Sequence, residues 1–292
     1  MRMDSTRRWF VLIFPICWVL LLAFANSAVA APVLWLRADE GISLDDNGGV
    51  AYWTDQSGQG HDAFQNELND RPLWVANGLN GLPVVRFSGA QALDLLGQVL
   101  TSQQFTIIAV LNDTRPAGDT GFREIVSNWD FTNPSTSVFL GTVGDDPTRV
   151  RFTDNFGGAD PPYIQQGAGT VETPATHFIL TGLSGAANAF QFQNSTLIAS
   201  LGAVLSPRNL STAYGIGKQG QFAGENWIGD LAELRIYNEA LSSDELQRVW
   251  TELEVRYGIA VPEPSSMILA GIGAVAIVVT ALRRRRATTV AA

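Results

Sequence analysis

Between residues 31 and about 260 the apolar positions come in short runs, each cut off by a cluster of Gly, Asn, Asp or Pro. The runs are Pro32–Leu36, Val84–Phe87, Phe105–Leu111, Ser137–Leu140, Val150–Phe152, His177–Leu183, Phe190–Phe192 and Leu231–Tyr237. Most alternate apolar with polar residues, the period of a strand with one face in a core and one in solvent. Phe105–Leu111 is apolar almost throughout, which predicts a strand buried on both faces. One segment changes period. After Leu241, residues Leu246, Val249, Trp250, Leu253 and Tyr257 recur at three- and four-residue steps, the stripe of an amphipathic helix. Ser242 and Glu245 have the spacing of a capping box at its start, and Gly258 suits a left-handed C-terminal cap. The pattern predicts an all-β antiparallel sandwich of about 230 residues closed by a single C-terminal helix.

Two longer apolar runs lie outside this segment. At the N-terminus, Arg2, Arg7 and Arg8 precede the apolar stretch Trp9–Phe24, and Ala28-Val29-Ala30 forms a small-residue cleavage box. This is the layout of a secretory signal cut by signal peptidase before Ala31, with an uncleaved anchor as the competing reading. Thr6–Phe10 also resembles a twin-arginine signal, so both export routes stay open. At the C-terminus, Pro262-Glu263-Pro264 precedes an uncharged run from Met267 to Leu282 and then Arg283, Arg284, Arg285 and Arg286. The 16 residues of that run span about 24 Å as a helix, slightly less than a hydrocarbon core of about 30 Å. The arginines would hold its far end in the cytoplasm and leave the sandwich outside.

This order of short motif, apolar helix and arginine cluster resembles the PEP-CTERM sorting signal. The resemblance implies recognition by an exosortase-type membrane enzyme, and delivery to the cell surface or to an extracellular polysaccharide matrix. An ordinary tail anchor is the alternative. The chain is thus divided into a signal peptide (1–30), a sandwich domain (31–258), a linker holding the Pro-Glu-Pro motif (259–265), a transmembrane sorting helix (266–282) and a basic cytoplasmic tail (283–292).

Removing both ends changes the charge picture. The whole chain carries a formal charge of −9, but the ends hold seven arginines and only Asp4 and Glu263. The domain keeps 12 basic and 26 acidic residues, a formal charge of −14. Such a charge suits solubility outside the cell and argues against a nucleic-acid binder, which needs a basic face. The single cysteine, Cys17, lies in the signal segment, so the exported domain has no disulfide available.

A second resemblance spans most of the domain. Val33–Asp39, Trp53–Ala63, Arg71-Pro72-Leu73, Leu82–Phe87 and Gly229–Ser242, in that order and spacing, are similar to a LamG-like, concanavalin A-type jelly roll. The resemblance implies two stacked antiparallel sheets and a binding or structural module. Such modules occur with carbohydrate or protein ligands and sometimes with calcium.

Candidate chemistry is sparse. Asp55 and Asp62 bracket an oxygen- and glycine-rich segment that could ligate calcium, the competing reading being a turn in which Asp55 bonds its own backbone. Asp145 and Asp146 form a second acidic candidate. Trp129, Tyr163, Phe222 and Trp227 lie among Gly, Asn and Asp residues suited to a loop rim, where aromatic faces could carry a sugar; packing in the core is the alternative for each. Trp35, Trp53 and Trp250 lie on regular elements and are expected in the core. Laminarinase-like glycosidases on this fold carry Glu-x-Asp-x-x-Glu, which is missing. Glu225, Asp230 and Glu233 are the nearest approach, and Glu233 is expected to make a structural hydrogen bond or salt bridge. Only His61 and His177 are present, without zinc-ligand spacing, and both are read as structural or surface residues. The reading that results is a non-catalytic, exported surface or matrix protein that binds carbohydrate or protein. A glycan hydrolase with a non-standard carboxylate pair and a purely structural protein are the alternatives.

Overall fold

The computed structural model describes residues 29–116, 118–119, 121–130, 136–142, 150–152, 164–165, 177–201, 207–222 and 224–259. Within them the chain forms seventeen strands and one α-helix. In order these are β1 (Leu34–Arg37), β2 (Ile42–Leu44), β3 (Val50–Trp53), β4 (Ala63–Phe64), β5 (Leu73–Leu79), β6 (Leu82–Ser88), β7 (Leu93–Leu95), β8 (Phe105–Asp113), β9 (Arg123–Ser127), β10 (Phe139–Thr142), β11 (Val150–Phe152), β12 (Ile164–Gln165), β13 (Phe178–Ser184), β14 (Ala189–Gln193), β15 (Thr196–Leu201), β16 (Gly215–Ile216), β17 (Ile228–Tyr237) and α1 (Ser243–Tyr257). They build two antiparallel sheets. The first runs β15-β14-β13-β8-β17-β6-β5 and the second β12-β11-β10-β9-β16-β7-β4-β3-β2. Long β17 serves two neighbours on one side, pairing Ile228–Leu231 with β6 and Glu233–Ile236 with β1.

Strand β8 explains the continuous apolar run. Phe105, Ile107, Ala109 and Leu111 point into the core between the sheets, while Ile108 and Val110 point to the opposite face, into a second buried cluster. That second cluster exists because α1 lies on the outer face of the first sheet, where Leu246, Val249, Trp250, Leu253 and Tyr257 bury the predicted stripe. The helix begins as expected. Ser242 Oγ accepts from Glu245 N, and Glu245 Oε2 accepts from Ser242 N at 2.9 Å. It ends at Gly258 with φ of 61°, a left-handed conformation that glycine adopts without a Cβ penalty.

A β-bulge between Leu231 and Glu233 reverses the alternation of β17. Leu231, Leu234 and Ile236 enter the inter-sheet core, while Ala232 joins the second cluster and Glu233 lies on the same outer face. There Glu233, 1% exposed, accepts from Trp35 Nε1 at 2.6 Å, Arg235 Nε at 2.5 Å and the Tyr257 hydroxyl at 2.7 Å. This is the structural role expected of it. Arg235 also reaches Glu252 on α1 at 2.6 Å and stacks over Trp35 at 4.8 Å. Trp35 therefore sits half-buried on the outer face, stacked beneath Arg235, and not in the core as expected from its place on a regular element. Trp53 and Trp250 are buried, in the first and second clusters respectively.

Candidate functional site

A groove opens on the outer face of the second sheet at β3 and β4. Trp53 and Ala63 point inward from β3 and β4, so their neighbours Tyr52 and Phe64 point outward, and the register sets these two directly opposite each other. Side chains so paired lie about 5 Å apart. They share a groove of about 410 Å³ with Ala51, Gln65, Asn66, Arg71 and Leu96.

The polar members of the groove are braced. Arg71 donates to the Gln65 carbonyl at 2.9 Å, to the Asn66 carbonyl at 3.3 Å and to Asp45 at 3.1 Å. Backbone N–H groups of Gly49 and Asn47, with Arg71, hold the Asp45 carboxyl below the usual range. Gln65 donates to Ala92 O and accepts from Glu67 N. The Tyr52 hydroxyl donates to Asp62, and this hydrogen bond raises the tyrosine pKa. A ligand would meet a preformed surface with its cations already neutralised.

Next along the sheet, Asp94 is the register partner of Phe64 and pairs with Lys218 at 2.5 Å. Lys218 belongs to the loop after β16, which reaches over to Trp129 at the end of β9. Gly220 (φ +55°) permits the approach, since a Cβ there would lie 2.4 Å from the Trp129 carbonyl oxygen. The loop sets the Phe222 ring edge-on to Trp129 at 5.3 Å, with Phe222 40% exposed. Two of the aromatic residues singled out in the sequence thus form one rim element.

The remaining candidates fare differently. Trp227 is 1% exposed and belongs to the inter-sheet core, so it is not a rim platform: β17 begins one residue later, and the strand geometry already directs this ring inward. Asp55 is 6% exposed and makes the turn anticipated as the competing reading. Its carboxylate accepts from Trp35 N, Ser57 N, Ser57 Oγ and His61 N, and Asp62 Oδ1 accepts from Asp55 N. Among the described residues no group of three or more His, Cys, Asp or Glu is placed to hold a metal ion. Tyr163, Asp145, Asp146, Ala28, Pro262, Glu263, Pro264 and Arg283–Arg286 lie outside the described residues. Ala30 is described, and its N–H donates to Glu245 Oε1 at 3.3 Å.

Each carboxylate of the nearest glycosidase-like set is held by its own partners. Asp230, 1% exposed, takes a two-pronged hydrogen bond from Arg86 at 2.6 and 2.8 Å. Glu233 is enclosed beneath α1, and Glu225 accepts from Gln219 on the loop after β16. Tyr52, Phe64 and Arg71 were missed in the sequence, because only the β3–β4 register brings the first two together.

Residues 260–286 match the family described as the PEP-CTERM protein-sorting motif. No curated protein matches the chain. Among solved structures, the chain is similar to domain 4 of AbnA, an extracellular arabinanase from Geobacillus stearothermophilus in complex with arabinotriose. The TM-score is 0.52 at 13% identity, covering 76% of this chain and 99% of that one. It also resembles the binding domain of Paraclostridial Mosquitocidal Protein 1 (TM-score 0.56, 13% identity, 76% of this chain and 52% of that one). A third likeness is Trypanosoma rangeli sialidase in complex with sialic acid (TM-score 0.52, 15% identity, 78% and 34%). The chain therefore spans nearly all of the first, about half of the second and a third of the third. These likenesses place the fold among β-sandwich domains, and the motif marks an exported protein carrying a sorting signal of the kind exosortases process.

Proposed function

We propose that this is a non-catalytic surface or matrix protein. It is held first by its C-terminal helix and then processed by an exosortase, and its LamG-like domain binds neutral carbohydrate in the Tyr52–Phe64 groove. The observation that carries the reading is the pair of aromatic residues set opposite each other in the β3–β4 register, lining one groove edged by amide and guanidinium groups. The C–H face of a pyranose stacks on such rings while its hydroxyls meet the polar edge. The volume falls within the range of about 300–1,000 Å³ common to small-ligand sites. With Arg71 neutralised by Asp45 and a domain charge of −14, nothing in the groove favours an acidic sugar. The saccharide complex of the arabinanase domain agrees in ligand class. A glycan array with wild type, Tyr52→Ala and Phe64→Ala tests the reading, together with a hydrolysis assay. Retention of neutral glycans, lost in both variants without product release, is expected. Product release would overturn the non-catalytic assignment, and retention untouched by either variant would move the site elsewhere.

A further inference from the structure

The chain is fixed to the domain up to the residue before the sorting motif. Ile259 donates its N–H to Glu254 O at 3.1 Å and, 9% exposed, closes the second hydrophobic cluster. The packed domain thus runs one residue beyond the boundary expected at 258, and the motif match starts at 260. Seven steps of chain lead from Ile259 to residue 266, where the sequence places the start of the apolar run, at most about 25 Å when extended. A domain of about 230 residues has a radius of gyration of about 17 Å, hence a diameter of about 45 Å. The tether is too short for the domain to roll over.

The exit point also has a definite place. Asn80 Nδ2 donates to the Tyr257 carbonyl, so the end of α1 abuts the Asn80-Gly81 turn between β5 and β6. Arg71, at the groove, precedes the far end of β5, a strand of seven residues and about 20 Å. The groove opens on the outer face of one sheet, and α1 covers the outer face of the other. Exit and groove are therefore separated both along the strands and across the sandwich. Val255, 79% exposed, places an apolar side chain on the last turn of α1, beside the exit.

We infer that, while the tail is in the membrane, the β5–β6 turn and the last turn of α1 rest against the lipid headgroups. The Tyr52–Phe64 groove is then presented away from the membrane, toward soluble or matrix glycan. The inference rests on the anchoring proposed above, and the test separates the two. The mature chain, residues 31–292, which contains no cysteine, is reconstituted into phosphatidylcholine–phosphatidylglycerol vesicles, carrying a fluorophore on Val255→Cys or on Asn66→Cys. Failure to float with vesicles would overturn the anchoring itself. Given flotation, a headgroup-attached quencher is expected to quench the label at 255 several-fold more than that at 66. Equal or reversed quenching would overturn the orientation. A long Gly/Ser insertion between Ile259 and Ala260 is expected to abolish the difference, and its persistence would show that the tether does not set it.

Discussion

The Tyr257 hydroxyl donates to Glu233 Oε2 at 2.7 Å across the joint between α1 and the first sheet, and both residues are almost wholly buried. Glu233 also serves Trp35 and Arg235, so its charge is compensated in place, and desolvation with Glu233 nearby raises the Tyr257 pKa well above that of a free phenol. Removing one partner of such a set costs more than the set contributes net. Glu233→Ala is therefore expected to destabilise the protein by about 3–5 kcal/mol. Tyr257→Phe, which deletes one hydrogen bond to a charged group, should cost about 2 kcal/mol. Urea unfolding followed by tryptophan fluorescence measures both, and a Glu233→Ala loss no larger than that of Tyr257→Phe would contradict the shared role.

Asp55 holds four donors, one from β1 and three from its own turn, and Asn at this position would turn an N–H₂ group toward some of them. Asp55→Asn is expected to lower stability by about 2–3 kcal/mol, equally in calcium and in chelator. Calorimetry in both buffers checks this. A calcium-dependent rise in Tm that disappears only in the variant would assign Asp55 to a metal instead.

His177 supplies a pH dependence of opposite origin. Burial lowers its pKa below 6.5; nearby Asp230 works against that shift and Arg86 adds to it, and among the described residues Nε2 has no hydrogen-bond partner. The unfolded chain then takes up the proton first as pH falls below 6.5, so stability present above neutrality declines through that window. Unfolding free energies between about pH 5 and 8 should slope upward with pH in wild type and flatten in His177→Gln. An unchanged slope in the variant would place the titration elsewhere.

What the sequence revealed depended on how local each signal was. The capping box at Ser242 and Glu245 and the apolar stripe of α1 are contained in one turn or one helix, and the structure has both. Phe105–Leu111 declared itself doubly buried because every residue there but Thr106 is apolar, although what covers the second face, α1, is far away in the chain. The groove was illegible for the converse reason. Tyr52 and Phe64 are twelve positions apart, and neither is unusual in its own segment; only pairing across β3 and β4 makes them neighbours. The β17 bulge likewise has no signature in the sequence, yet it decides that Glu233 faces α1.

The loop after β16 couples the rim to the sheet through Gly220. Alanine there would need a left-handed conformation and would drive its Cβ into the Trp129 backbone. Gly220→Ala is expected to lift the loop, separating Phe222 from Trp129 and Lys218 from Asp94, with a stability loss of about 1–3 kcal/mol. If the rim contributes to glycan retention, affinity should fall although Tyr52 and Phe64 are intact. Unchanged affinity would confine the site to the groove.

Trp129 and Trp227 look alike in sequence, each preceded by Asn, yet they occupy different environments. Trp227 is 1% exposed, and its removal would leave a cavity between the sheets. Trp129 is half-buried at the rim, with the Phe222 ring set edge-on to it. Trp227→Ala should therefore cost about 3–5 kcal/mol, the range for large aromatic truncations in a core. Trp129→Ala should cost less, about 1 kcal/mol, because solvent already reaches this ring and can fill the space it leaves. Retention assays alone would mislead, since both variants could lose binding for unrelated reasons. Urea unfolding measured on the same preparations separates the two causes: Trp129→Ala should stay folded and bind more weakly, whereas Trp227→Ala should lose binding only as far as it loses the fold. Equal destabilisation by the two substitutions would refute the division of rim from core.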